Sequence, residues 1–236
     1  VIGDAMRAEL AAIAGGFIEH GVASLHLLTR SEAAASELTH SIDTPDGFEL
    51  TVEAIGDDIE GALDRILRSG EGVDVVVSSP FVRLPMNALA AERGADWTRV
   101  LSDDDFADLV RDQLTHHFRV AQRATLVPRC QVVFLTPDTS QASSREEFAL
   151  ALFVKNSLHA FSVTLGVETE RLPTVPAVNQ VQLTRRARTE EPANDQELSE
   201  EMERLVYAVL QCSVPAPTPS DSRYLARIFR GNAVTV

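Results

Sequence analysis

The stretch 130-CQVVFLT-136 is a short apolar run containing two adjacent valines, with Pro128 before it and Pro137 after it. It is too short for a helix and too apolar for a surface loop, so it reads as a strand buried on both faces. The segment 144-SREEFALALFVKNSLHAFSVTLGVE-168 follows as a helix, and 176-PAVNQVQLT-184 as another strand. Two strands joined by a crossover helix form a βαβ unit, which places the strands parallel in a sheet covered by helices.

Working outward in both directions, the same alternation recurs. Apolar residues at helical spacing (Met6, Leu10, Ile13, Phe17) run through AMRAELAAIAGGFIEH and stop at Gly21. ASLHLL is strand-like, SEAAASELTH is a short helix capped by Ser31, and 48-FELTVEAI-55 alternates as a strand does. DDIEGALDRILRS is helical, ends near Gly70, and leads to the β-branched strand 73-VDVVVSS-79. After a loop with Pro80 and Pro85, Ser102 caps a long helix, with Asp105 completing a capping box, that runs to about Pro128. The helix 195-DQELSEEMERLVYAVLQC-212, a proline-rich loop and a last strand at 232-NAVTV-236 complete the order. The expected fold is one α/β domain over residues 1–236, with a doubly wound, mostly parallel, Rossmann-like sheet. Only Val1 and Ile2 precede the first helix, so the first strand is expected to be largely missing and the chain to be a piece of a longer polypeptide.

Composition narrows the function. A net charge of −14 argues against binding a phosphate backbone. No apolar run approaches the roughly 20 residues of a membrane helix, and the start VIGDAMRAEL lacks the basic and apolar regions of a signal peptide. Cys130 and Cys212 have no CxxC context, so neither a disulfide framework nor a zinc site is expected, and a cytoplasmic setting fits.

This order of elements resembles the short-chain dehydrogenase/reductase family over nearly the whole chain. VDVVVSSP lies where that family has a strand ending in Asn-Asn-Ala-Gly, CQVVFLTPD where its catalytic serine follows a strand, and FALALFVKNSLHAF where its Tyr-x-x-x-Lys helix lies. The blocks DWTRVLSDDDFADL, QLTHHFRVAQ, FALALFVKNSLHAFSVTLGVETER, NQVQLTRRARTEEP and RGNAVTV further resemble the C-terminal end of the large bifunctional malonyl-CoA reductases. The resemblance implies a parent polypeptide that reduces malonyl-CoA with NADPH through malonate semialdehyde to 3-hydroxypropionate. In that family the C-terminal half reduces the thioester and the N-terminal half the aldehyde.

The family's chemistry is not carried over position by position. If Gly3 matches the first glycine of Gly-x-x-x-Gly-x-Gly, the second and third fall on Arg7 and Glu9. Their side chains would fill the phosphate pocket, and Asp4 and Glu9 would set negative charge beside a pyrophosphate. Arg7 is expected to be a solvated helix-face arginine rather than a phosphate ligand. Asn-Asn-Ala-Gly is replaced by 78-SSPF-81, where Pro80 removes a donor and Phe81 adds bulk. Four residues before Lys155, the chain's one lysine, stands Ala151 in place of the proton-donating tyrosine. Phe148 and Phe153 are near but have no proton to give, and Tyr207 and Tyr224 lie in other elements. At the serine position stand Thr136 and Pro137.

His116 and His117 lie near the family's structural Asn, and a single histidine could replace the missing acid. Neighbours about 100° apart on a helix are not expected to converge on one proton or metal, so helix packing is the favoured reading. His159, one turn from Lys155, is read as packing or interface, and 102-SDDDF-106 as a helix start matched to the macrodipole. For 185-RRAR-188 a contact to CoA phosphates is weighed against a solvated loop, and the loop is preferred. No catalytic, cofactor-binding or metal-binding residue is therefore expected in this chain, with NADPH serving the parent enzyme alone. The 144–168 helix is apolar on more than one side: Val154, Leu158, Phe161 and Leu165 make one stripe, and Phe148, Ala151 and Leu152 another face. By the resemblance, this helix and the long one before it would form a dimer interface or pack on neighbouring catalytic dehydrogenase domains.

Overall fold

The computed structural model describes residues 1–3, 6–68, 72–80, 102–127, 130–136, 145–169, 178–182, 195–213 and 233–235. Its strands are β1 (Ser24–Thr29), β2 (Glu49–Ala54), β3 (Val75–Ser78), β4 (Gln131–Thr136), β5 (Val178–Gln182) and β6 (Ala233–Thr235). Its α-helices are α1 (Arg7–Glu19), α2 (Glu32–Ser41), α3 (Ile59–Leu67), α4 (Asp103–Val110), α5 (His116–Ala124), α6 (Arg145–Thr169) and α7 (Asp195–Ser213).

β1 pairs with β2, and β3 through β6 pair in succession, every pairing parallel. Ile2 joins the two groups by bridging Leu28 on one side and Ser78 on the other. Hydrogen bonds from Ile2 N to Val77 O (2.8 Å), Leu28 N to Val1 O (2.8 Å) and Gly3 N to Leu28 O (3.0 Å) make residues 1–3 a short central strand. The spatial order is β2, β1, residues 1–3, β3, β4, β5, β6, as expected for a doubly wound sheet.

Side chains alternate across a strand with period two, and neighbouring residues of this sheet accordingly enter two different cores. Leu27, Val77, Val133 and Leu135 pack with α1, α2 and α7 through Leu10, Ile13, Leu38, Leu205 and Val209. Leu28, Val76, Val132 and Phe134 pack on the opposite face with α3, α5 and α6 through Ile59, Leu63, Val120, Ala124 and Phe161. Burial on both faces explains why β3 and β4 are continuous apolar runs.

Local signals set the element ends. The Ser31 hydroxyl accepts from Ala34 N at 3.2 Å at the start of α2, and Asp58 caps α3 by accepting from Gly61 N at 3.0 Å. α1 ends at Glu19, and Gly21 turns the chain with φ of +79°. The helix expected from Ser102 to about Pro128 is not uniform. It starts at Asp103, is interrupted by a π-helical segment at Arg111–Thr115, and ends at Ala124. The side chain of Asp105 lies outside the described residues. α5 is tied to α3 by Glu60, which pairs with Arg119 (3.3 Å) and Arg123 (3.0 Å), and by Asp64 with Arg123 (3.6 Å).

Candidate functional site

In an open parallel sheet a ligand crevice lies beyond the carboxyl ends of the strands, where the strand order reverses. Here that point is between residues 1–3 and β3. The two strands stay hydrogen-bonded to their ends, with Ser79 N donating to Ile2 O at 2.8 Å. Gly3 has φ of +142°, and a Cβ at this position would stand 2.2 Å from Ser79 Oγ and 2.7 Å from Ser79 O. The glycine is thus required by the close approach of its own β3 neighbour. Asp4 lies outside the described residues; Arg7 is partly exposed and ion-paired with Glu37 of α2, as a helix-face arginine would be.

Ser78, Ser79 and Pro80 are buried, and Phe81 lies outside the described residues. Each serine is engaged by one histidine of α5. Ser78 Oγ shares a 2.8 Å hydrogen bond with His117 Nδ1, and His116 Nε2 donates to Ser79 O at 3.0 Å. The rings are 3.8 Å apart between centroids, and His117 also meets the Phe134 ring edge-on at 5.4 Å.

The two rings lie side by side, yet they do not converge on one proton: each has its own partner. The buried face of α5 comprises His116, His117, Val120, Ala121 and Ala124, a stripe wide enough to take adjacent residues. The end of β3 then offers each ring its own polar partner. Burial lowers the His116 pKa to about 4, with the nearby Arg30 charge adding to the effect against the Ser79 carbonyl, and holds His117 well below its ordinary value. Both rings are neutral at pH 7.

Two residues that the sequence did not single out belong to this region. Gln113 is buried on the π-helical segment just before the histidines; such segments are frequent at functional sites. Its only signal was a polar residue within an apolar stripe. Arg30 follows the end of β1, bonds Asp57 at 3.3 Å and acts electrostatically on His116. An arginine beside the neighbouring strand is a known way to take the 2′-phosphate of NADP.

On α6, the position four residues before Lys155 is Ala151, which is only 4 % exposed and packed inward. Lys155 is half-buried, and its carbonyl accepts from Gln180 Nε2 at 3.2 Å. The Thr136 hydroxyl is buried and donates to Val181 O at 3.4 Å, across to β5. Phe153 is partly exposed, Tyr207 is 65 % exposed on α7, and the side chain of Phe148, together with Pro137 and Tyr224, lies outside the described residues. His159 is half-buried, consistent with packing. Residues 185–188 also lie outside the described residues.

Among the described residues no group of three histidine, cysteine, aspartate or glutamate side chains could hold a metal ion, and no helix is long and apolar enough to cross a membrane. Cys130 and Cys212 are free and buried, and burial pushes each thiol up to about 12.

No protein-family model matches the chain, and no curated protein matches it. Among solved structures, the chain is similar to the C-domain of a bacterial malonyl-CoA reductase solved with NADP, at 39% identity and a TM-score of 0.85. The match covers 100% of this chain and 34% of that one, so the chain spans about a third of that relative's length. It is also similar to a short-chain dehydrogenase/reductase from Serratia marcescens BCRC 10948 (15% identity, TM-score 0.68, covering 100% of this chain and 94% of that one). A gluconate 5-dehydrogenase from Burkholderia cenocepacia J2315, solved with NADP and tartrate, matches at 16% identity and a TM-score of 0.62, with 100% and 91% covered. The last two similarities establish the fold alone.

Proposed function

From a chain with the short-chain dehydrogenase/reductase fold that resembles part of the malonyl-CoA reductase C-domain along its whole length, we propose a role without chemistry of its own. The chain is a dehydrogenase-like extension that stabilises and assembles the neighbouring catalytic dehydrogenase domains of the same polypeptide. Those domains would reduce malonyl-CoA through malonate semialdehyde to 3-hydroxypropionate with NADPH. The observation that carries the reading is Ala151: a buried methyl group stands where the resemblance calls for a proton donor. Thr136 does not replace it, because its hydroxyl faces β5. The residues at the strand ends do not fit a pyrophosphate either, since Ser79 is packed against Gly3 and Arg7 is held by Glu37.

The assembly part of the reading is supported by the outer surfaces of α4, α5 and α6. Phe106, Phe118, Leu152, Phe153, Val163 and Val167 are large apolar residues left partly exposed there. Phe106 and Phe153 touch across the α4–α6 junction with centroids 5.8 Å apart. Apolar surface grouped in this way marks an interaction face. Its occupant is taken to be an adjacent dehydrogenase domain, because the relative that the chain resembles is about three times as long; pairing of two copies of the parent is the other arrangement of the same face. The test is turnover of the whole polypeptide. Lys155→Ala and His116→Ala are expected to leave NADPH oxidation with malonyl-CoA unchanged at correct assembly; loss of turnover from an intact assembly contradicts the proposal.

A second reading keeps a nucleotide in this chain, and Arg30 is the observation in its favour. Here the segment would contribute to NADPH-dependent reduction or hold the CoA moiety for its neighbour. Arg30→Ala separates the two: a raised KM for NADPH in the whole enzyme supports the second reading, an unchanged KM the first.

A further inference from the structure

His117 lies in buried surroundings that favour its neutral form. Its Nδ1 is bonded to Ser78 Oγ at 2.8 Å, and Nε2 is buried with no hydrogen-bond partner among the described residues. Its ring lies 3.8 Å from that of His116 and 5.4 Å from that of Phe134, centroid to centroid, the latter in a T-shaped arrangement. A proton added to this ring would place a charge in a fully buried position beside another imidazole.

Among the described residues, the charged groups on the surrounding elements supply no remedy. The end of β1 brings Arg30, of the same sign. β3 presents the hydroxyl of Ser78 and the carbonyl of Ser79, and β4 the Phe134 ring, while Gln113 of the π-helical segment is buried and uncharged. α3 carries Glu60 and Asp64, but these pair with Arg119 and Arg123 of α5. α6, which meets α5 through Phe161 and Phe118, carries Lys155 and His159 among its described titratable side chains.

We propose that His117 is an acid-released latch, fastening α5 to the carboxyl end of β3 when neutral and releasing it when protonated. Release would free the helix that carries part of the exposed apolar face and uncover the strand ends at the reversal of strand order. The proposal does not depend on the chain being catalytically silent.

Hydrogen exchange followed by mass spectrometry, corrected for the intrinsic pH dependence of exchange, tests it on this chain. Protection of residues 116–124 is expected to fall about tenfold or more between pH 6.5 and 4.5, since each unit of pKa difference is a factor of ten, while α1 keeps its protection. In His117→Asn and His117→Phe the fall should be clearly smaller, leaving only the part that His116 contributes. Protection that does not change, that falls in step with α1, or that responds equally in the variants overturns the latch. Should both variants fail to fold at pH 7.5, Ser78→Ala decides, because it keeps the titrating ring and removes its partner. Its release is expected at higher pH, and an unmoved transition contradicts the proposal.

Discussion

Gly3 and Ser79 approach so closely that a Cβ on residue 3 would lie 2.2 Å from the serine hydroxyl oxygen. The contact joins the short central strand to the end of β3, and the φ of +142° at Gly3 disfavours any side chain. Gly3→Ala is therefore expected to cost about 2–4 kcal/mol, combining backbone strain and overpacking. Urea unfolding of the variant checks this, and an unchanged midpoint would show that the strand ends can separate without penalty.

Phe134 is the hinge of an aromatic series on one face of the sheet. Its ring stacks on Phe161 with centroids 5.8 Å apart and meets His117 in a T-shaped contact. Being fully buried in β4, it should cost about 3–5 kcal/mol when cut to alanine. Phe134→Leu keeps most of the volume and should cost less than half as much. Equal costs would mean that the ring contacts, and not the filled volume, dominate.

The α3–α5 junction should respond differently. Glu60 is exposed enough for water and salt to screen its pairs with Arg119 and Arg123. Glu60→Gln is expected to lower stability by no more than about 1 kcal/mol at low salt, with the difference fading in 1 M sodium chloride. A loss of several kcal/mol that persists in salt would contradict the surface character of this network.

Acid should destabilise the fold through the same pair of rings that sets the latch. Both histidines have pKa values below the ordinary 6.5, His116 at about 4. The unfolded chain therefore binds more protons than the folded one once the pH drops below about 6.5. Stability is complete above that value, falls as the pH is lowered toward 4, and stops falling on account of His116 below its folded pKa. Each unit of depression corresponds to about 1.4 kcal/mol per group. Thermal midpoints measured from pH 7.5 to 4 should decline over this window, and a His116→Gln, His117→Asn double variant should decline less steeply.

The two thiols give a simpler check. Cys130 and Cys212 are buried, with burial raising each pKa to about 12, so neither forms the reactive thiolate at pH 8. Iodoacetamide should label neither in the folded chain and both in urea. Rapid native labelling of Cys212 would mean that α7 opens readily.

How much of this was legible beforehand depends on what each residue signals locally. The runs VDVVVSS and CQVVFLT announced β3 and β4 because strands buried on both faces lose the polar alternation of surface strands. Ser31 announced the start of α2 through its side chain, and Ala151 could be found by counting back from Lys155. The His116–His117 contact was not legible. It depends on a buried stripe wide enough for adjacent positions and on two serines at the end of a strand 37 and 39 residues earlier. The π-helical segment at Arg111–Thr115 left no mark in a pattern read at ordinary helical spacing. Arg30 is not legible because a single arginine after a strand has no motif of its own; only the sheet order places it beside the crevice.

The proposed function gives this chain the fold of a dehydrogenase without its nucleotide site. The most direct measurement is a calorimetric titration of the chain with NADPH. No saturable heat at millimolar nucleotide is expected, because Ser79 closes on Gly3, and Arg7 is held by Glu37. A micromolar dissociation constant, abolished by Arg30→Ala, would contradict the claim and move the chain among the nucleotide-binding dehydrogenases.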